Sequence, residues 1–396
     1  MLLYFRDNYA WNMAVATLVE DVGTLAEPFT AFTSVESLSG AEPRVANEAW
    51  FGAFIALGER LQRLGDRDLA EGNELTAARK YHRASMYFTR ADRMMSHEDE
   101  RKFLAYDRVL ENYRKAREYG REGVEFLDIP YKDGAMPSLL IKAPDVKGMP
   151  APIVIQVQGF DSVKETQWPV LQTYRARGVS LLIVDQGGSG GALRLHGLIG
   201  EPDAEKYVAK IIDYIMARPD IATDQIGICG ISMGGYFAPR AAAYEPRIKA
   251  CALWGAIPYS PKDYQKEQAA NASNASLPDA VAHGLWAWGY KDPKAFYEGL
   301  GYLCLKGVIE KITCPLYIVH GENDRQIKVQ EAFDAYNAAT TPSKKLKIFT
   351  KDEGGVEHCQ LDNRAYGADT LADWFSGVFF SNNLPDTGRR SIEMRV

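Results

Sequence analysis

Two hydrophobic periodicities divide the chain. Over Trp50–Leu64, apolar side chains fall at Trp50, Phe51, Phe54, Ile55, Leu57, Leu61 and Leu64. That spacing of about 3.6 residues gathers them on one face of a helix. Ala77, Ala78, Tyr81, Ala84, Tyr87, Phe88 and Ala91 repeat the pattern. With Gly65 and Gly72 between them, the two stretches predict an antiparallel helix pair broken at those glycines. The pair occurs once, which argues against a solenoid. Tyr106–Arg121 reads as a further helix that crosses into the rest of the chain.

From Gly123 the period changes. Val124–Pro130 and Ser138–Ala143 flank the turn residues Lys132-Asp133-Gly134 and predict a β-hairpin. Short, nearly continuous apolar runs follow at Ile153–Val157, Ser180–Val184, Ile226–Cys229, Lys249–Leu253, Leu316–Val319 and Lys345–Phe349. Helical stretches separate them at Trp168–Arg177, Asp203–Ala217, Gly235–Tyr244 and Val329–Ala338, and Asn363–Phe379 closes the series. Strands of this kind, alternating with helices, form a parallel sheet covered on both faces. A hairpin leading into such a sheet predicts the α/β class and the α/β-hydrolase arrangement, with eight mostly parallel strands. The expected organisation is a helical N-terminal domain over 1–118, acting as lid or dimerisation unit, and an α/β-hydrolase domain over 119–396. The alternation breaks over about 255–309, a stretch rich in aromatics that is expected to form a cap insertion.

The chemistry centres on Gly230-Ile231-Ser232-Met233-Gly234, which reads G-x-S-x-G between a strand and a helix. Such a turn lifts the serine hydroxyl above the sheet, and small residues two before and two after leave room for it. A serine needs a base, and the base needs an orienting acid, in the chain order Ser, acid, His. Asp324 follows the seventh strand and is the candidate acid, with Glu322 as the fallback. His358 follows Gly354-Gly355 and is the candidate base, since no histidine but His358 comes after His320. His320 ends a buried strand and reads as structural. The backbone N–H groups of Met233 and Phe160, the latter in Gln158-Gly159-Phe160-Asp161, are the candidate oxyanion donors. Asp263, Tyr264, Trp286 and Trp288 are candidate cap residues facing substrate, with Glu267 weaker than Asp263. The run Asp185–Gly191 lacks a phosphate-loop ending and reads as a loop bordering the site.

Composition narrows the partners. The 396 residues carry a net charge of −6 with no basic block, which argues against nucleic acid and anionic membranes. The five scattered cysteines form no ligand pattern, so no metal is expected, and together with the lack of a signal-peptide pattern in Met1–Glu20 they read as cytoplasmic. The same triad would serve an acyltransferase. The helical N-terminus alone would suit a non-catalytic interaction protein.

The segment Gln158–Glu165, the elbow Gly230–Gly235 and the stretch Pro315–Asp324 resemble the FrsA-like α/β-hydrolases. This resemblance spans most of the chain. It implies a cofactor-free enzyme that cleaves a C–C or ester bond beside a carbonyl in a small aromatic or polyketide-like substrate. It also implies Ser232, Asp324 and His358 as triad, Phe160 and Met233 as oxyanion donors, substrate held between the N-terminal helices and the core, and a homodimer. Asp185-Gln186-Gly187-Gly188 departs from the family's more usual D-x-P-G and would alter that wall of the pocket.

Overall fold

The computed structural model describes residues 3–5, 8–145, 148–255, 259–262, 266 and 277–380. Five helices come first: α1 (Tyr9–Val22), α2 (Ala26–Val35), α3 (Pro43–Ala70), α4 (Glu74–Met94) and α5 (Glu100–Gly120). The expected break at Gly65 does not occur, because α3 runs through it to Ala70. The reason is packing. A Cβ on Gly58 would lie 2.7 Å from the Phe88 ring, and one on Gly65 2.9 Å from the Tyr81 ring. Two glycines seven residues apart thus receive two rings seven residues apart on α4, and the helices approach closely.

The hairpin is β1 (Val124–Tyr131) and β2 (Gly134–Ile141). β2 starts four residues earlier than expected. Lys132, at φ 49°, and Asp133 alone make the turn, so pairing resumes at Tyr131 opposite Gly134. Then come β3 (Ile153–Val157), α6 (Trp168–Ala176), β4 (Ser180–Val184), α7 (Gly190–His196), α8 (Ala204–Met216), β5 (Ile226–Ile231), α9 (Gly234–Tyr244) and β6 (Ile248–Trp254). After an insertion that carries helices Ala280–Trp288 and Pro293–Gly301, the chain forms β7 (Leu316–Gly321), helix Val329–Ala338, β8 (Lys344–Phe349) and helix Arg364–Phe380.

The eight strands order as β1-β2-β4-β3-β5-β6-β7-β8. β2 pairs antiparallel with β1 and β4, and every other pairing is parallel. β3, β4, β5 and β7 are buried along their whole length. Successive side chains therefore feed two cores. Val154, Ile183, Cys229 and Trp254 point to the N-terminal helices, α6 and the last helix. Ile155, Leu182, Ile228 and Leu253 point to α8, α9 and helix Val329–Ala338. This is the α/β-hydrolase fold. Among the described residues no helix is long and apolar enough to cross a membrane, and the five cysteines are unpaired.

Candidate active site

β5 ends in the sharp turn that the pentapeptide predicts. Ser232 has φ 55°, in the left-handed region that a non-glycine residue occupies only under constraint. Its N–H donates to Trp254 O at 2.8 Å, and its own C=O accepts Gly235 N–H at 2.7 Å. The flanking glycines are sterically required. A Cβ on Gly230 would sit 1.8 Å from Gly234 O, and one on Gly234 2.6 Å from Val157 O.

Ser232 Oγ lies 2.8 Å from His358 Nε2, and His358 Nδ1 lies 2.7 Å from Asp324 Oδ2. The other Asp324 oxygen accepts the N–H groups of Gln326 and Ile327 at 2.8 and 2.9 Å. His320 Nε2 sits 3.5 Å from Asp324 Oδ2 and donates to Ile327 O at 2.9 Å, buried and holding the acid's loop. Glu322, the fallback acid, instead accepts Lys351 N–H at 2.7 Å in an exposed position. Burial pulls the His358 pKa down, but the Asp324 carboxylate prevails and holds it well above the ordinary histidine value. Burial likewise pushes Asp324 up, and His358 outweighs it, so the carboxyl stays below its usual range. A hydroxyl, an imidazole and a carboxylate in this series can pass the serine proton to the ring and stabilise the resulting charge.

The oxyanion candidates flank the serine. Gly159 presses on the elbow, since a Cβ there would lie 2.9 Å from Ser232 Cβ. Among the described residues no protein acceptor takes the N–H of Phe160 or Met233. The run after β4 borders this loop as expected. Gln186 accepts Gln158 N–H at 2.9 Å and donates to Gln158 O at 3.0 Å.

A cavity of about 80 Å³ adjoins Ser232 and His358. Its walls mix apolar residues such as Val163, Ile231 and Leu361 with polar and charged ones, many of them from α1 and α4: Thr17, Asp21, Thr89, Arg90 and Arg93. A second cavity, of about 810 Å³, lies between the α4–α5 connection and the insertion and shares Arg93 with the first. The cap tryptophans line neither. Trp286 stacks on His97 with ring centres 5.3 Å apart and meets Phe103 edge-on. Trp288 stacks against Phe237 of α9. Both rings make packing contacts where the insertion meets its neighbours. Asp263, Tyr264 and Glu267 lie outside the described residues. Arg90 and Arg93 were not singled out in the sequence, and Asp161 and His283 were given no role of their own there. The available signal was Arg90 and Asp92 beside Ala91, charges set within an apolar helical stretch.

Elbow, sheet and serine–imidazole–carboxylate series define an α/β-hydrolase. The chain belongs to the FrsA-like esterase family, whose model matches residues 60–269; the model of the prolyl oligopeptidase family also matches, over residues 166–381. The chain is 27% identical to 2,6-dihydropseudooxynicotine hydrolase of Paenarthrobacter nicotinovorans, over 87% of this chain and 89% of that one. It is 33% identical to the alpha/beta hydrolase psoB of Aspergillus fumigatus, over 52% of this chain and 49% of that one, so it spans about half the length of the fungal protein. The crystal structure of 2,6-dihydroxy-pseudo-oxynicotine hydrolase superposes with TM-score 0.71 at 24% identity, covering 84% of this chain and 89% of that one. AbyA5 superposes with TM-score 0.64 at 16% identity, covering 92% and 98%. At those identities the structures show the shared fold. The protein is a hydrolase of this superfamily.

Proposed function

We propose that the protein hydrolyses a C–C or ester bond next to a carbonyl in a small aromatic or polyketide-like substrate, through an acyl-enzyme on Ser232. One observation carries this reading: Ser232 Oγ, His358 and Asp324 form a continuous series at 2.8 and 2.7 Å on a strained elbow. His358 takes the serine proton as Oγ attacks the carbonyl. The N–H groups of Met233 and Phe160 hold the oxyanion. The tetrahedral intermediate collapses, the leaving carbanion or alkoxide takes the proton from imidazolium, and water, deprotonated by His358, releases the acyl group. The chemistry needs no cofactor.

The two cavities support a division of labour. The one at the serine is smaller than the ~300 Å³ or more of a usual ligand pocket, so it suits the reacting carbonyl. The larger one can house the rest of the substrate. The similarity to a 2,6-dihydropseudooxynicotine hydrolase, named for a small-molecule substrate, agrees with a small-molecule reading. A fluorophosphonate probe should label Ser232 in the folded protein, and Ser232→Ala should abolish both labelling and turnover without loss of folding. Turnover persisting in the alanine variant would sink the mechanism.

A further inference from the structure

The tip of the oxyanion loop is held in an unusual way. Its two ends are fixed by the run after β4. Gln186 brackets the Gln158 backbone on one side, and Gly190 N–H donates to Ser162 O at 3.1 Å on the other. Lys164 N–H adds a bond of 2.9 Å to Asp185 Oδ1. Between these anchors, residues 159–161 make only two polar contacts among the described residues. His283 Nε2 lies 3.1 Å from Phe160 O, and Arg93 Nη2 lies 2.5 Å from Asp161 Oδ2. A carbonyl can only accept, so the His283 nitrogen carries the hydrogen. The His283 ring also meets the Phe160 ring edge-on, with centres 4.9 Å apart.

These two contacts come from elements far apart in the chain. His283 stands on the insertion helix Ala280–Trp288, and Arg93 stands near the end of α4. The two supports are themselves joined, because Trp286 of the insertion helix stacks on His97 just past α4. We infer that His283 and Arg93 are positioning residues which together set the Phe160 N–H for the oxyanion, so that the hole is complete only when the insertion helix and the N-terminal helices are both seated on the core. This inference rests on the role proposed for Ser232 and Phe160.

The donor's placement is worth much of the rate. Removing one oxyanion donor costs about 10²–10³ in comparable sites, and a displacement of about 1 Å can cost about 10². Neither His283 nor Arg93 touches the hydroxyl or the base, so losing either should slow the bond-forming step itself; both also line the larger cavity, so the readout is the maximal rate rather than the affinity.

The test is the kinetics of a fluorophosphonate reacting with Ser232. In that reaction the Oγ–P bond forms as the P–F bond breaks, fluoride leaves, His358 takes the serine proton, and the phosphoryl oxygen occupies the oxyanion hole. His283→Ala and Arg93→Met should each lower the maximal labelling rate, read at saturating probe, about tenfold. His283→Gln, which keeps a donor, and Arg93→Lys, which keeps the positive charge of the ion pair, should recover most of the rate. A merely structural role would lower the fraction of protein labelled and leave the rate of that fraction unchanged. If Arg93→Met does not fold, Asp161→Asn reads the same contact. Parent-like rates in the truncated variants, or conservative variants as slow as the truncated ones, would overturn the inference while leaving the proposed function standing. A parent that does not label at all overturns the proposed function and the inference with it.

Discussion

The imidazole of His358 faces two opposed influences. Burial disfavours its charged form, and the Asp324 carboxylate at 2.7 Å favours that form more strongly. A base acts unprotonated, so kcat/KM should climb with pH along a limb centred above the ordinary histidine value of about 6.5. Asp324→Asn removes the attraction and leaves the burial. Its limb should move below that of the parent, while the plateau falls by about 10⁴, the loss seen when a triad aspartate becomes asparagine elsewhere. A pH–rate profile of both proteins on a chromogenic ester checks this, and an unmoved limb in Asp324→Asn would contradict it. Ser232, Asp324 and His358 were readable because each follows its own strand in a fixed chain order. His283 and Arg93 were not, because their significance lies in contacts with a loop far away in sequence.

Among elements, the joint between α1, α4 and the last helix governs the roof of the small cavity. Asp21, at the end of α1, takes Arg90 of α4 on one oxygen at 2.7 Å and Arg364 on the other. All three side chains are buried. Arg364 opens the helix that follows the His358 loop, so this triplet fixes the roof to the segment that carries the base. Asp21→Asn would leave two guanidinium groups without their shared counter-charge. Removing one partner of a buried pair typically costs about 3–5 kcal/mol. Urea denaturation should show a loss of that order, and a change under about 1 kcal/mol would show that water or Glu20 compensates. The helices themselves were legible wherever an apolar stripe alternates with polar faces, as in α3 and α4. α1 offered no such stripe: Trp11, Asn12, Met13, Ala14 and Val15 are buried in succession, so no polar face marks its period. Gly65 of α3 was misread for a related reason. A glycine that admits a ring from a neighbouring helix looks, in one sequence, like a glycine that ends its own.

At the scale of the molecule, the sheet was legible because strands buried on both faces must be continuous apolar runs, and the helices between them fix a parallel order. The assembly of the N-terminal helices and the insertion onto that sheet was less so, since it depends on buried polar contacts. Two buried histidine contacts, one between α4 and α1 and one between the insertion helix and the oxyanion loop, make these outer elements sensitive to acid. His82 of α4 donates to Asp21 O at 2.9 Å, and His283 donates to Phe160 O. Burial lowers each pKa to about 4; Arg117 adds to this at His82, and Lys102 and Arg194 add to it at His283 against the opposing Asp161. In the unfolded chain both would titrate near 6.5. Between pH 6.5 and 4 the unfolded state therefore binds protons that the folded state refuses, and stability must fall as pH falls through that window. Above pH 6.5 both states hold these rings neutral and the dependence vanishes. The double variant His82→Gln/His283→Gln keeps donors at both places and removes the titration. Denaturation free energies measured at pH 7, 6 and 5 should decline more steeply in the parent than in the double variant. Buried carboxylates with raised pKa values, Asp185 among them, titrate alike in both proteins, so the difference between the two slopes isolates the two rings. Parallel slopes for the two proteins would mean that other groups set the acid response.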